Sequence, residues 1–159
     1  MPKGRRHGVP RAVLDYGPEN LGPGDAILTN DPYPSGVHLN DVSLISPVHW
    51  DGELLGYVAN LAHHVDVGGG APASIGAFRE VFQEGVIIPP VKVVAAGRIV
   101  DDVFSLILAQ IRSKHETAGD FRAQITAPDR RAPGPGGACR VTIDRRFERE
   151  LALELEPAA

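Results

Sequence analysis

Cysteine is scarce in this sequence. Cys139 is the single cysteine among 159 residues, which excludes a framework of intramolecular disulfide bonds and fits a reducing compartment. The basic N-terminus is not followed by the apolar stretch of a secretory signal, so we expect a cytoplasmic protein. No apolar run approaches the roughly 18 residues that a membrane-spanning helix needs. We therefore expect no membrane partner.

Positive charge is sparse in most of the chain. Residues 14–127 carry 6 lysine and arginine residues and 14 aspartate and glutamate residues, which leaves a net charge of −8. Such a block is a poor ligand for nucleic acid, because that recognition depends on basic side chains that neutralise phosphates. The basic residues of positions 1–13 are typical of a solvated tail. We expect no nucleic-acid partner, whereas the acidic block suits a site that holds a cation.

Long helices are not expected, because glycine (18) and proline (14) together form about a fifth of the chain, against roughly 12% on average. Hydrophobic periodicity and turn signals predict a strand at 25–30 and two extended pieces within 86–94. They also predict strands at 42–50 and 53–64, which form a hairpin around Asp51-Gly52. They predict helices at 11–16, 77–83, 101–112 and about 116–125. Prolines and a glycine predict a loop at 31–36. The sequence thus predicts an α+β fold of short strands and hairpins with a few helices.

Composition divides the chain into three parts. Residues 1–23 are predicted to form an N-terminal arm and loop, residues 24–127 carry the predicted elements, and residues 128–159 are a tail rich in proline, glycine and arginine. The sequence contains no phosphate-binding loop, dinucleotide fingerprint or Gly-x-Ser-x-Gly motif. ATP and nicotinamide chemistry are therefore not supported by this chain alone.

Histidine and aspartate concentrate in one segment that has the residue types of a metal site. The pattern is His38-x-x-Asp41, followed by His63-His64-x-Asp66 at the end of a predicted strand. Two neutral imidazoles and one carboxylate on one side of a divalent ion leave other positions open for water or substrate. A turn would bring His38 and Asp41 together, and alternation along a strand allows only one of the adjacent histidines to face the same ion.

A simpler interpretation stays open for each of these residues. Histidines at strand ends are often surface residues or hydrogen-bonded core residues, and the His-x-x-Asp pattern is weak by itself. For Asp66, on the loop side, the functional expectation is that it orients a ligating imidazole. Asn30 and Asp31, which precede a proline, are typical turn formers. We interpret His49 and His115 as structural.

Four stretches of the central part carry a resemblance to a known family. They are GDAILTNDPYPSGVHLND (24–41), DGELLGYVANLAHHVDVGG (51–69), FQEGVIIPPVK (82–92) and DDVFSLILAQIRSKHETAGDFRAQI (101–125). In order and spacing, residues from about 12 to 127 resemble the hydantoinase B/oxoprolinase family, in spite of Val37 and Asn40, where threonine and proline are usual. Members of that family are several times longer. The resemblance therefore implies a fragment of a larger mixed catalytic subunit.

The resemblance also implies a metal site and a partner. By position, His38, Asp41 and His63 would hold a divalent, manganese-like ion, and an A-type hydantoinase subunit or its fused domain, not this chain, would use ATP. His64 or Asp66 would act as a base or as an orienting residue. A last group would bind the substrate or the partner subunit, with surface ion pairs as the alternative: Glu84, Lys92, Asp120 and Arg122.

Three functions follow as expectations. The first is metal-assisted, ATP-coupled hydrolysis of a cyclic amide such as a hydantoin or 5-oxoproline. The second, implied by the same family, is a role as a subunit of an acetone or acetophenone carboxylase. The third is a truncated product that folds partly, binds metal weakly and catalyses nothing.

Overall fold

A computed structural model describes residues 8–35, 38–74 and 76–127. The proline- and glycine-rich tail, with Cys139, lies outside the described residues, as do positions 1–7 of the predicted arm. Within the described residues, no helix has the length and apolar character needed to cross a membrane.

The centre of the structure is a five-stranded antiparallel sheet with the spatial order β3-β2-β1-β4-β5. Its strands are β1 Ala26–Thr29, β2 Asp41–Trp50, β3 Glu53–His63, β4 Val91–Ala95 and β5 Arg98–Ile99. Strand β1 lies in the middle of the sheet, between β2 and β4, and all four of its residues are buried. Together with the helices, this sheet confirms the predicted α+β class.

The β2–β3 hairpin is the longest paired unit and confirms the hairpin prediction. Its turn contains Asp51 and Gly52, whose φ angles of 52° and 83° are both positive, as a two-residue hairpin turn requires. The register pairs Asp41 with His63 at the open end of the hairpin. The turn chemistry thus brings together two residues of the candidate site.

Within residues 8–35, 38–74 and 76–127, four helices accompany the sheet: α1 Val9–Tyr16, α2 Pro32–Ser35, α3 Asp101–Ala109 and α4 Lys114–Thr126. Three of them confirm predicted helices, but α2 shows that the prediction of a loop at 31–36 was wrong. Proline is tolerated in the first turn of a helix, where its missing N–H would have no helical partner. A single helical turn therefore begins at Pro32.

The predicted helix at 77–83 was also wrong. Only a 3₁₀ turn, Val81–Gln83, forms there, because the side-chain oxygen of Gln83 accepts hydrogen bonds from the backbone N–H groups of Arg79 and Glu80. Further 3₁₀ turns lie at Pro18–Asn20 and Pro72–Ser74. Of the two extended pieces predicted within 86–94, the structure has the second, as β4.

The sheet separates two apolar layers. Alternate side chains of β1 and β2, such as Leu28 and Leu44, pack with Phe104, Ile107 and Phe121 of α3 and α4. On the other face, Ile27 and Ile45 pack with Ala12 and Val13 of α1. Side chains alternate along a strand, and Asp41 lies two residues before Ser43 and four residues before Ile45. The side chain of Asp41 therefore extends from the face of the sheet that α1 covers.

Candidate functional site

Asp41 is the centre of the candidate site, because it contacts both histidines that sequence spacing pairs with it. Its Oδ1 lies 2.7 Å from Nδ1 of His63, and its Oδ2 lies 3.5 Å from Nδ1 of His38. The side chain of Asp41 is 15% exposed, those of His38 and His63 83% and 58%. The structure thus brings together the three residues that were expected to share one ion.

A tight turn brings His38 to Asp41, as predicted. The backbone N–H of Asp41 donates to the carbonyl of His38 at 3.0 Å, and the N–H of His38 donates to Oδ2 of Asp41 at 3.2 Å. A strand would have placed these two side chains on opposite faces. The turn ends at Asp41, where β2 begins.

The hydrogen bonds keep Asp41 ionised. Burial raises the pKa of Asp41. The hydrogen bonds from His63 and from the backbone N–H of His38 act in the opposite direction, as does positive charge on the two rings. Together they outweigh burial and lower the pKa of Asp41 below its ordinary value. A carboxylate only accepts hydrogen bonds, so Nδ1 of His63 is the donor, and neutral His63 carries its lone pair on Nε2.

His63 and His64 point to opposite faces, as alternation predicts. His64 is 3% exposed and stacks on Phe121 of α4, with the ring centroids 4.2 Å apart. Its Nε2 lies 3.1 Å from Oε1 of Gln124. His64 is therefore part of the core on the α4 side, and its ring does not join Asp41.

Asp66 holds a glycine-containing loop to the end of α3. Its carboxylate accepts hydrogen bonds from the backbone N–H of Gly68 at 2.9 Å, the backbone N–H of Arg112 at 3.0 Å and the Arg112 guanidinium at 3.3 Å. Arg112 also donates to the carbonyls of Gly68 and Gly69. A Cβ at Gly68, whose φ is +87°, would lie 2.7 Å from the carbonyl oxygen of Gln110. The loop thus packs closely against α3, away from the partners of Asp41.

The four residues expected to bind substrate have different surroundings. Lys92 donates to Asp25 Oδ2 at 2.6 Å and to the carbonyl of Asn20 at 2.7 Å, and the hydrogen bond to Asp25 raises the pKa of Lys92. The Arg122 guanidinium lies 5.2 Å from the ring centroid of Phe104. Asp120 is exposed on α4, and Glu84 is half-buried after the 3₁₀ turn. In the described part of the chain, the hydrogen bonds of Lys92 and the ring contact of Arg122 lead to residues other than Asp41.

Sequence reasoning missed Asn40 and Gln124, the polar residues that support the site, and it missed Arg112, the partner of Asp66. Asn40 and His64 exchange hydrogen bonds: the Asn40 amide donates to the carbonyl of His64 at 2.6 Å, and the backbone N–H of His64 donates to the carbonyl of Asn40 at 2.8 Å. The alternation that separates His63 from His64 also separates Asp41 from Asn40. That pattern was the available signal for an inward-facing Asn40.

The donor set at Asp41 fits a divalent ion in its chemistry. Imidazole nitrogens and one carboxylate are ligand types that Mn²⁺ and similar ions accept. In the described residues, no group of three or more His, Cys, Asp or Glu side chains is already arranged around a cation position, because both rings turn Nδ1 toward Asp41. Coordination of one ion by all three residues would require the exposed rings of both His38 and His63 to turn a lone-pair nitrogen toward the ion, in place of the hydrogen bond from His63 Nδ1 to Asp41.

Known relatives match most of the chain. The profile of the hydantoinase B/oxoprolinase family matches residues 5–132. An uncharacterised protein of Methanocaldococcus jannaschii is 48% identical over 104 residues, 65% of this chain and 18% of that protein. The 5-oxoprolinase PfmaA of Pestalotiopsis fici is 38% identical over 102 residues, 64% of this chain and 7% of that enzyme. The caprolactamase subunit beta of Pseudomonas jessenii is 35% identical over 118 residues, 74% of this chain and 20% of that subunit.

Solved structures share the fold. The ATP-dependent caprolactamase from Pseudomonas jessenii superposes with a TM-score of 0.68 at 30% identity, over 91% of this chain and 23% of that chain. A nucleotide-free acetone carboxylase superposes with a TM-score of 0.67 at 23% identity, over 91% of this chain and 17% of that chain. At that identity, the carboxylase shows a common fold alone. The chain spans a fifth or less of the length of the three curated relatives named above.

Proposed function

The chain belongs to the hydantoinase B/oxoprolinase family, and from this premise we propose that it forms part of a subunit that hydrolyses a C–N bond of a cyclic amide, such as a hydantoin or 5-oxoproline. Its short span relative to the relatives supports a piece of a larger catalytic subunit. The observation that carries the proposal is the meeting of His38 and His63 at the carboxylate of Asp41.

Hydrolysis is favoured over ketone carboxylation by the relatives that are similar in sequence. The relatives at 35% and 38% identity are named caprolactamase and 5-oxoprolinase, names of enzymes that act on cyclic amides. The acetone carboxylase shares 23% identity, so it supports a common fold and not a common reaction. A carboxylase subunit stays the second candidate, and an inactive product the third.

In this proposal, His38, Asp41 and His63 hold a divalent, manganese-like cation. When bound, such a cation supplies Lewis-acid polarisation of the carbonyl group of the substrate. Asp41 contributes a negative charge at neutral pH, because its pKa lies below the ordinary value. The 2.7 Å hydrogen bond from Nδ1 of His63 already holds this ring beside the carboxylate, and a cation bound between the two side chains would replace that hydrogen bond. His38 lies at the exposed side of the site, where a substrate approaches from solvent.

The proposed role of the neighbouring residues follows from their contacts. Of the two roles expected for His64 and Asp66, base and orienting residue, their buried hydrogen bonds favour orientation of the surrounding backbone. Asp120, which is exposed, and Glu84, which is half-buried, are proposed to contact the substrate or the partner subunit. Lys92 and Arg122 were expected to do the same, but their contacts with Asp25 and Phe104 favour a structural role.

An ATP-using A-type subunit, or its fused domain, is the proposed partner. The similarity to a caprolactamase subunit beta and to an ATP-dependent caprolactamase supports a division of labour between subunits. The described residues contain no phosphate-binding motif, so ATP would bind to the partner.

Binding of Mn²⁺ to the purified 159-residue chain tests the metal site. We expect electron paramagnetic resonance titration to show one bound Mn²⁺ per chain, and His38→Ala or His63→Ala to weaken its affinity at least tenfold. His115→Ala, which removes an exposed histidine of α4, is the matched control. Unchanged affinity in the His38→Ala variant would remove His38 from the ligand set.

Turnover is tested with the partner subunit present. The chain, extended to the length of its relatives where necessary, is combined with the A-type subunit, ATP and a cyclic amide. We expect ring opening coupled to ADP release. ATP-dependent fixation of bicarbonate onto acetone would favour the carboxylase, and a chain that binds no metal and supports neither reaction would favour the inactive product.

A further inference from the structure

Three buried polar residues, Asn40, His64 and Gln124, form a connected set that we call the polar frame. Asn40 is 1% exposed, His64 3% and Gln124 6%. Asn40 and His64 exchange two hydrogen bonds, of 2.6 and 2.8 Å, between the turn before β2 and the residue after β3. The frame therefore joins the start of β2, where Asp41 lies, to the end of β3, where His63 lies.

Gln124 connects this pair to α4. Its Nε2 donates to the carbonyl of Val42 at 2.8 Å, and its Oε1 lies 3.1 Å from Nε2 of His64. Its backbone carbonyl also accepts a hydrogen bond from the amide of Asn60 at 3.1 Å. One glutamine thus contacts β2, β3 and the residue that follows β3.

The hydrogen-bonding capacity of these groups fixes their orientation. The carbonyl of Val42 only accepts, so the amide nitrogen of Gln124 must face it, and the amide oxygen must face His64. The ring of His64 then donates from Nε2, which makes Nε2–H the tautomer of neutral His64. With this arrangement, each polar group of Gln124 has a partner, as buried groups require.

The frame and the candidate ligands are adjacent along the chain but face opposite sides of the sheet. Asn40 and Val42 flank Asp41, and His64 follows His63. The frame therefore holds the backbone on both sides of Asp41 and directly after His63. A shift of either strand end by one residue would turn Asp41 or His63 into the core.

We infer that Gln124 and Asn40 are positioning residues for the candidate metal site, and that they act through the backbone of Val42 and through His64. This inference rests on the proposed function and extends it to residues that touch neither metal nor substrate. It assigns the second histidine of the His-His pair to the frame, as a donor to Gln124.

Manganese affinity of frame variants tests the inference. Gln124→Leu and His64→Leu each remove hydrogen bonds of the frame, and we expect at least tenfold weaker Mn²⁺ binding, since groups that orient ligands typically contribute tenfold to a hundredfold. His64→Gln retains a side-chain N–H donor and is expected to recover most of the affinity. Ile107→Ala, a core change on α3 that removes no polar group, is expected to lower the melting temperature and leave the affinity unchanged. Binding is measured where circular dichroism shows every variant folded.

The outcomes separate the inference from the function on which it rests. Wild-type chain that binds no Mn²⁺ overturns the proposed metal site and the positioning role with it. Wild-type chain that binds, with folded Gln124→Leu and His64→Leu chains that bind equally well, overturns the inference alone. If Gln124→Leu does not fold, the His64→Leu and His64→Gln pair carries the same comparison. Nitrogen-15 shifts of His64 give a metal-free readout: the Nε2–H tautomer supports the frame, and the Nδ1–H tautomer overturns it.

Discussion

Asp41 and His63 lie opposite each other at the open end of the β2–β3 hairpin, and Oδ1 of Asp41 is 2.7 Å from Nδ1 of His63 across 22 residues of sequence. Because the other oxygen of Asp41 faces His38, one carboxylate connects both histidines of the site. Asp41 is therefore the residue whose loss should affect the site most.

Asp41→Asn should weaken Mn²⁺ binding at least tenfold and also lower the stability of the chain at neutral pH, because the lowered pKa of Asp41 means that its charged form stabilises the fold. The amide preserves the shape of the side chain, but it removes the negative charge, and its nitrogen cannot accept the hydrogen bond from a histidine ring. Isothermal titration calorimetry and thermal melting measure the two effects. Asp120→Asn, which removes an exposed carboxylate of α4, is the control. Equal affinity of Asp41→Asn and wild-type chain would contradict the assignment of Asp41 as a ligand.

Asp25→Asn should remove part of the acid sensitivity of the fold. Burial raises the pKa of Asp25, but the hydrogen bonds from Lys92 and from the N–H groups of Ala96 and Gly22 outweigh it and lower the pKa. The carboxylate of the unfolded chain has the ordinary pKa of about 3.9. The folded form therefore gains stability above that pH and loses it as the pH falls through the lower pKa of the folded state.

Urea unfolding from pH 7 to pH 3 measures this effect. At pH 7 we expect Asp25→Asn to lower the free energy of unfolding by about 1.5–3 kcal/mol, the usual range for a lost hydrogen bond to a charged group. The difference in the free energy of unfolding between the wild-type and Asp25→Asn chains should narrow below about pH 4. Asp15→Asn, which breaks the more exposed pair with Arg11, should show neither effect. A difference that stays constant with pH would exclude Asp25 as the titrating group.

Asn30→Ala should destabilise the fold strongly. Asn30 is 1% exposed; its amide nitrogen donates to the carbonyls of Leu39 and Val86, and its amide oxygen accepts from the N–H of Ile88. Alanine leaves these groups without their partner, at a cost of about 3 kcal/mol or more. Urea unfolding measures the loss of stability. The control is Asn20→Ala, at an exposed position, whose free energy of unfolding should stay within about 0.5 kcal/mol of the wild-type value. A loss below that of the control would show that water replaces the amide.

Local signals predicted most of the elements of this fold. Asp51-Gly52 predicted the hairpin turn, and the apolar spacing after Asp101 predicted α3. Two errors, at Pro32 and at Val81–Gln83, occurred where a proline can begin a helical turn and where one glutamine side chain accepts hydrogen bonds from two backbone N–H groups. The first extended piece within 86–94 is not a strand, and β5 was not predicted. The order of strands in the sheet was beyond reach, because it depends on contacts such as Asp25 with Lys92, 67 residues apart.

The candidate site was predictable to the extent that it depends on local geometry. A turn at His38 and alternation at the His63-His64 pair predicted that His38 and one of the two adjacent histidines would meet Asp41, and the family resemblance implied that this histidine is His63. Their supporting residues were not predictable, because Gln124 reaches Val42 over 82 residues and carries no motif. Lys92 was predicted to bind the substrate or the partner subunit, because its position in the sequence does not reveal Asp25, the distant residue with which it pairs.

Asp66→Asn should destabilise the chain without changing Mn²⁺ affinity, which separates a structural role from the catalytic role expected from sequence. Asp66 is 4% exposed, and its carboxylate accepts from two backbone N–H groups and from Arg112. An asparagine oxygen can replace one acceptor, while its N–H₂ group would face donors, so we expect a loss of about 2 kcal/mol. Arg112→Gln, at a half-exposed position, should cost less. Because the contacts of Asp66 lead to α3 and not to Asp41, a tenfold loss of Mn²⁺ affinity in a folded Asp66→Asn chain would show that Asp66 orients a ligand after all.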